Sequence, residues 1–307
     1  MATDNAFDVV VIGEGMAGLS AAHHAASLGL KVASVECNLF GGLVINIAEL
    51  ESYPAAAAIS GVDVASALMQ HNADLGVESV PGNAQSIAAD GPVLRVATDQ
   101  RQLGARNVII ATGARLKKLG VPGEAEFEYR GVSQCADCDA PLFKDADVIV
   151  AGGGDAALQE ALTLARYCRK VSIALRGERF RARRAFVDRI RGLANVEVLP
   201  RTAIEAIVGD QTVETVRLRD VAAGATREVA ASGVFAFVGL EPNGAFAPAA
   251  IARDAGGRLV TDAALETALP GVFAAGAVRS GCGGLMVNAM SDGAAAAQAA
   301  FRRLHTG

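Results

Sequence analysis

At 307 residues the chain is long enough for about two domains with sizeable cores. A formal net charge of −5 at pH 7 gives no global attraction to nucleic acid or to an anionic membrane surface, and no run of about eighteen apolar residues reads as a membrane span. The opening MATDNAFDVV has no basic region followed by an apolar core, so a soluble, cytoplasmic protein is expected, where thiols stay reduced and a persistent structural disulfide is disfavoured.

Residues 7–36, FDVVVIGEGMAGLSAAHHAASLGLKVASVE, read as strand, glycine-rich turn, helix and strand. The first strand is a continuous apolar run, as a buried parallel strand requires. The turn carries G-x-G-x-x-G at Gly13, Gly15 and Gly18, and Gly29 stands where a helix-ending glycine belongs. Glu36 closes the second strand, eighteen residues after Gly18. Residues 85–110 then alternate short strands with turns and end in NVIIATGA (107–114). Pro and Gly cluster in LGVPGE (119–124), a candidate domain crossing.

Next comes SQCADCDAP (133–141), with Cys135 and Cys138 in a C-x-x-C pair followed by Asp139. Residues 146–176, ADVIVAGGGDAALQEALTLARYCRKVSIALR, repeat the strand, turn, helix, strand grammar, with G-x-G-x-x-A at Gly152, Gly154 and Ala157. One such motif is weak evidence. Two of them, each between a predicted strand and a helix, read as dinucleotide fingerprints. Residues 203–239 repeat the short-strand pattern, so each half is expected to carry a β-meander returning to its parent sheet. LEPNGAFAP (240–248) marks a second crossing, GVFAAGA (271–277) another buried strand, and SDGAAAAQAAFRRL (291–304) a terminal helix. The fold class is therefore α/β, with two Rossmann-like, three-layer ββα dinucleotide-binding domains, the second inserted into the first. Residues 1–115 and 243–307 form the first domain, and 116–242 form the second, which carries the C-x-x-C.

At the first fingerprint, glycines admit a pyrophosphate to a helix start, and Glu36 lies where an acid accepts from a ribose hydroxyl. The corresponding residue of the second fingerprint is Arg176, a cation suited to a 2′-phosphate and hence to NADP, with Arg181 of RFRA able to join it. Residues 176–191 hold seven arginines, and Arg184, Arg189 and Arg191 read as a solvated helix face. The five cysteines are Cys37, Cys135, Cys138, Cys168 and Cys282. A structural zinc takes about four N/S ligands in paired knuckles. His23, His24, His71 and His305 supply no second knuckle, so no metal site is read. A C-x-x-C pair can instead cycle between dithiol and disulfide. With two dinucleotide folds it suggests a relay from nicotinamide through a flavin to the cysteines. Asp139 can move protons in that exchange, or cap a turn. Cys37, Cys168 and Cys282 are expected to be buried small apolar residues.

Along essentially its full length the chain resembles the low-molecular-weight thioredoxin reductase family and the related flavoprotein subunit of alkyl hydroperoxide reductase. The resemblance rests on GEGMAG, FGG at 40–42, ELESYP at 49–54, IIATGA, CADCDAP, GGGDAA, RFRA and FAAGA. It implies FAD at the first fingerprint, with contacts from Gly41, Gly42, Asn46, Ala111, Thr112, Gly113 and Gly276, and NADPH at the second, with Asp155 added. It implies that Cys135 attacks a substrate disulfide, that Cys138 faces the flavin and that Asp139 is the acid/base. It further implies a homodimer, a rotating NADPH domain, and a thioredoxin-like redox protein or small disulfide as partner. Departures from the family pattern are Ala277 after Gly276 where an Asp is usual, Leu43 for Gln, Ser52 in place of Asn, GLM (284–286) for Arg-Gln-Ala, and Gly177 after Arg176. They keep two alternatives open: a different donor, such as ferredoxin, or a small-molecule dithiol substrate; and a non-catalytic nucleotide-binding, redox-sensing module.

Overall fold

The computed structural model describes residues 4–51, 53–54 and 59–306; Ser52, one of the departures above, lies outside them. In chain order the first elements are β1 (Asp4–Ile12), α1 (Met16–Ser27), β2 (Val32–Glu36), α2 (Gly61–Asp74), β3 (Glu78–Pro81), β4 (Ala84–Asp90), β5 (Val93–Thr98), β6 (Gln102–Ile110) and β7 (Ala114–Leu116). The middle of the chain forms β8 (Val132–Ser133), α3 (Ala136–Asp139), β9 (Asp147–Ala151), α4 (Asp155–Leu164), β10 (Lys170–Ala174), α5 (Arg184–Arg191), β11 (Val196–Leu199), β12 (Thr202–Gly209), β13 (Val213–Asp220), β14 (Thr226–Ala230) and β15 (Gly233–Ala236). β16 (Leu240–Pro242), β17 (Val272–Ala274) and α6 (Met286–Thr306) complete it. Two compact units result: Met1–Arg115 with Glu241–Gly307, and Leu116–Leu240.

In the first unit, β1 lies between β2 and β6, all parallel, with Val10 opposite Ala33 on one side and Val108 on the other. The apolar run of β1 is needed because both faces are covered. Val10 and Ile12 join one core cluster with Val35 and Ile110, while Val9 and Val11 join another with the alanines of α1 and α6. That second cluster explains the alanine-rich composition. Ala17, Ala21 and Ala25 of α1 meet Ala296, Ala297 and Ala300 of α6. A Cβ on Gly293 would lie 2.1 Å from the Ala17 carbonyl oxygen, so small residues are what let the two helices approach. α6 begins five residues before the predicted start, at Met286, because the Leu285 carbonyl already accepts from the Asn288 and Ala289 amides.

The second unit repeats the parallel core in the order β11-β10-β9-β15-β8. Its meander departs from the expectation. In the first unit β4, β5 and β6 join the parent sheet, whereas in the second β12, β13 and β14 form a separate antiparallel sheet and only β15 enters the parallel one. Strand length gives the reason. The nine residues of β6 are enough to pair β5 along Gln102–Ala105 and β17 along Val108–Ile110. β15 has only four residues. The second meander stacks on the sheet instead, with Ile204, Val216 and Leu218 packed against Ile149, Ala151 and Val234.

Among the described residues no helix is long and apolar enough to cross a membrane, and no group of three or more His, Cys, Asp or Glu could hold a metal ion.

Candidate functional site

The site residues of the first unit gather where the parallel strands end. Gly13 follows β1, Glu36 ends β2, Ala111 follows β6 and Gly276 follows β17. Gly13 has φ +101°, and a Cβ there would lie 2.6 Å from the Ala111 carbonyl oxygen, so any side chain would push the two strand ends apart. Gly18 faces inward, and its Cβ would fall 1.8 Å from the Gly13 oxygen. The helix therefore packs tightly on its own turn. Gly15 caps α1 without a capping side chain, and the space a Cβ would occupy there is open to 4 Å. Uncapped amides at a helix start, facing open space, suit an anionic group.

Glu36 is fixed beside this opening. One carboxylate oxygen accepts from the Glu14 amide at 2.8 Å, and the other accepts from the Cys37 and Asn38 amides at 2.9 Å. Glu14 is itself buried and accepts from the Ser34 and Ser79 hydroxyls at 2.6 and 2.8 Å. Gly41 donates to the Glu14 carbonyl and bridges to Gly15. Gly42 opens a 3₁₀ turn that ends at Asn46, whose side chain is exposed. Thr112 Oγ1 donates to the Asn243 carbonyl at 2.7 Å, Asn243 Nδ2 returns a bond to the Thr112 carbonyl, and the Asn243 amide donates to Gly113.

Ala277 provides no carboxylate, but one arrives from α6. The Gly276 amide donates to Asp292 Oδ2 at 3.1 Å, and Arg279 binds both Asp292 oxygens at 2.7 Å. Both side chains of the pair are largely buried, at 15% and 12% exposure, so removing either partner would strand a charge. Cys282 is half-buried, and burial raises its thiol above the usual range. Cys168 is buried and pushed up to about 11 by that burial. Cys37 departs from the expectation: it is exposed, because the chain has left the buried strand β2 and entered a surface loop.

The second fingerprint repeats the first with different side chains. Gly152 has φ +141°, and a Cβ there would meet the Phe237 carbonyl oxygen at 2.3 Å. Gly154 caps α4 with open space around it, as Gly15 does for α1. Ala157 is fully buried at the position that Gly18 holds in the first unit. Past the end of β10, Arg176 is exposed. The arginine-rich loop folds back on the fingerprint: the Arg181 amide donates to the Gly153 carbonyl at 2.8 Å, leaving its side chain exposed. Asp155 is engaged by Arg183, accepting from its amide and from Nε at 2.7 Å each. On α5, Arg184 pairs with Asp188, and Arg189 lies over the Phe186 ring.

Cys135 and Cys138 form a disulfide with Cα atoms 5.3 Å apart. Cys135 is half-buried and Cys138 exposed. Cys135 caps the short helix α3, and its Sγ accepts from the Cys138 amide at 3.1 Å. Ser133, which sequence reasoning missed, links the parts: its hydroxyl donates to Asp139 Oδ2 at 2.6 Å and accepts from the Cys135 amide at 3.0 Å. Glu160 of α4, also missed, accepts from the Ala136 amide at 2.5 Å. Only tertiary placement could have found these two, since each is an ordinary residue type in its local sequence.

Two glycine turns that each open a helix, together with a C-x-x-C disulfide, define a dinucleotide-dependent disulfide oxidoreductase. The family model for pyridine nucleotide-disulphide oxidoreductases matches residues 7–293, and the chain belongs to that family, as an FAD-dependent disulfide oxidoreductase. A thioredoxin reductase of Treponema pallidum is 39% identical over 307 residues, covering 100% of this chain and 99% of the relative. The crystal structure of Lactococcus lactis thioredoxin reductase superposes with a TM-score of 0.94 at 35% identity, covering 98% of this chain and 100% of that one. That of T. acidophilum thioredoxin reductase gives 0.93 at 32% identity, with the same coverage.

Proposed function

We propose that this chain is a thioredoxin-disulfide reductase, carrying electrons from NADPH through FAD to Cys135–Cys138 and on to thioredoxin or a thioredoxin-like protein. The observation that carries the reading is a redox-capable disulfide fourteen residues ahead of a dinucleotide turn, Cys138 to Gly152, in a chain that holds a second such turn.

The unit of Met1–Arg115 and Glu241–Gly307 is assigned to FAD. Gly13, Gly15 and Gly18 would receive the pyrophosphate on the open start of α1, and Glu36 the adenosine ribose. Gly41, Gly42, Asn46, Ala111 to Gly113 and Gly276 would line the remainder. The unit Leu116–Leu240 is assigned to NADPH, through Gly152, Gly154 and Ala157, with Arg176 and Arg181 for the 2′-phosphate. Asp155 would serve there through Arg183, which it holds against the helix start. When bound, FAD supplies the conversion of a two-electron hydride into thiol chemistry.

Cys135 is assigned as the thiol that attacks the substrate disulfide. Once the disulfide opens, the Cys138 amide that now donates to Cys135 Sγ can stabilise a thiolate on that sulfur. Cys138 resolves the mixed disulfide, and Asp139, held by Ser133, takes and returns the proton. A homodimer in the cytoplasm completes the proposal.

Anaerobic addition of NADPH to the purified yellow protein should bleach the flavin and release two thiols per chain, at Cys135 and Cys138. Thioredoxin should then be reduced catalytically. An oxidised flavin after NADPH, bleached only by reduced ferredoxin or dithionite, overturns the donor, and colourless protein that takes up no FAD overturns the enzyme. The thiol roles are tested by trapping: the Cys138→Ser variant should accumulate a mixed disulfide with thioredoxin through Cys135. Accumulation with Cys135→Ser instead would reverse the assignment.

A further inference from the structure

The turn that carries the disulfide exposes four backbone amides at its start, and each has an acceptor. The Cys138 amide donates to Cys135 Sγ and the Asp139 amide to the Cys135 carbonyl. The Ala136 and Asp137 amides both go to the Glu160 carboxylate, the first at 2.5 Å. Glu160 lies in the middle of α4, one helix away in the fold and twenty-five residues from Cys135 in sequence. It thus holds the amide next to Cys135 in the chain.

We propose that Glu160 is the positioning residue of the Cys135–Cys138 couple: its carboxylate fixes the turn through the Ala136 and Asp137 amides, and its charge sets how readily Cys135 ionises. The proposal rests on the reading of Cys135 as the attacking thiol.

Three features support it. First, Glu160 takes up the Ala136 and Asp137 amides beside Cys135, so its ionised form draws on donors at the start of the turn and adds a like charge next to a thiolate there. Second, burial pushes its carboxyl up to about 7 and Asp137 adds to the rise, against the pull of the two amides, so its charge changes within the working pH range. Third, Asp137 is the neighbouring charge that acts on it, and the other charges nearby are paired or hydrogen-bonded. Asp137 accepts from Thr163 Oγ1, and Asp139 from Ser133. At the start of α4, Asp155 is paired with Arg183; on α5, Asp188 is paired with Arg184. Below α4, Asp147 of β9 is paired with Arg169, and Lys170 of β10 with Glu197. The 3₁₀ turn Ala140–Phe143 offers no ionisable side chain.

The sign follows directly. Below pH about 7 Glu160 is neutral and leaves the Cys135 thiol its lower pKa; above it the carboxylate raises that pKa. The test uses the FAD-loaded full chain, reduced with dithiothreitol and freed of it, so no nicotinamide is needed. Iodoacetamide alkylation of Cys135 is followed by peptide mass spectrometry from pH 5.5 to 9. In the wild type, the logarithm of the rate should climb with pH, flatten around pH 7 and then climb again. Glu160→Gln keeps an acceptor for the amides and should climb without the flat region, reacting at the wild-type rate near pH 5.5 and several-fold faster at pH 8. A variant-to-wild-type ratio that does not change with pH overturns the proposal and leaves Glu160 a purely structural residue. So does a wild-type profile with no flat region, which decides the matter even if the variant does not fold. A flat region on Cys138 and not on Cys135 also overturns it, whereas failure of the functional reading shows separately, as thioredoxin trapped on the Cys135→Ser variant while Cys135 keeps its flat region.

Discussion

The two glycine turns of this molecule have nearly the same backbone and opposite chemistry. Gly13 and Gly152 both turn with positive φ against a neighbouring strand end, and Gly15 and Gly154 both cap a helix with open space before them. The differences are in the side chains. The residue that ends the second strand of the first unit is an anion held by three amides, Glu36. In the second unit the comparable place past β10 is an exposed cation, Arg176. The first helix meets its turn at Gly18, whereas the second carries a buried methyl group, Ala157, at that place. Six residues past the cap, α1 has the buried Ala21 packed among alanines, and α4 has Glu160 reaching the disulfide turn. One scaffold used twice thus becomes two sites through a few positions that the turn geometry leaves free.

Four substitutions test that contrast. The largest effect is expected for Gly18→Ala, whose Cβ would fall 1.8 Å from a backbone oxygen. We expect a loss of about 3 kcal/mol of stability and failure to retain FAD, measured by denaturant unfolding and by flavin absorbance. The reciprocal Ala157→Gly should cost only about 1 kcal/mol, the helix propensity difference, and should leave FAD content unchanged. If the two changes cost the same, room for the Gly13 carbonyl oxygen is not what Gly18 provides.

Next is Glu36→Gln. It keeps the shape but weakens bonds made by a charged acceptor, and should lower FAD affinity roughly tenfold, about 1.4 kcal/mol, in a fluorescence titration of apoprotein. NADPH affinity should not change, because Glu36 belongs to the other unit. The smallest effect is expected for Arg176→Ala. With Gly177 beside it and Arg181 also available, KM for NADPH should rise about fivefold, with little change for NADH. Equal effects on both nicotinamides would mean that Arg176 does not meet the 2′-phosphate.

Sequence alone determined the parts of this protein that depend on local backbone demands. A glycine at a positive-φ turn between an apolar run and a helix can be recognised without knowing what surrounds it, so both glycine turns and the C-x-x-C were legible. The fate of the second meander was not, because whether it joins the parent sheet depends on how much of a neighbouring strand is left to pair. Cys37 was misread as buried for a related reason: the residue after Glu36 lies beyond the point where the sheet stops covering the chain. Tertiary structure alone decided the side-chain meetings: Asp292 at the Gly276 amide, Ser133 between Cys135 and Asp139, and Glu160 at the Ala136 amide. Those meetings depend on the phase of a helix and the register of a strand relative to another element. A buried amide accepts whichever carboxylate or hydroxyl that packing brings within about 3 Å.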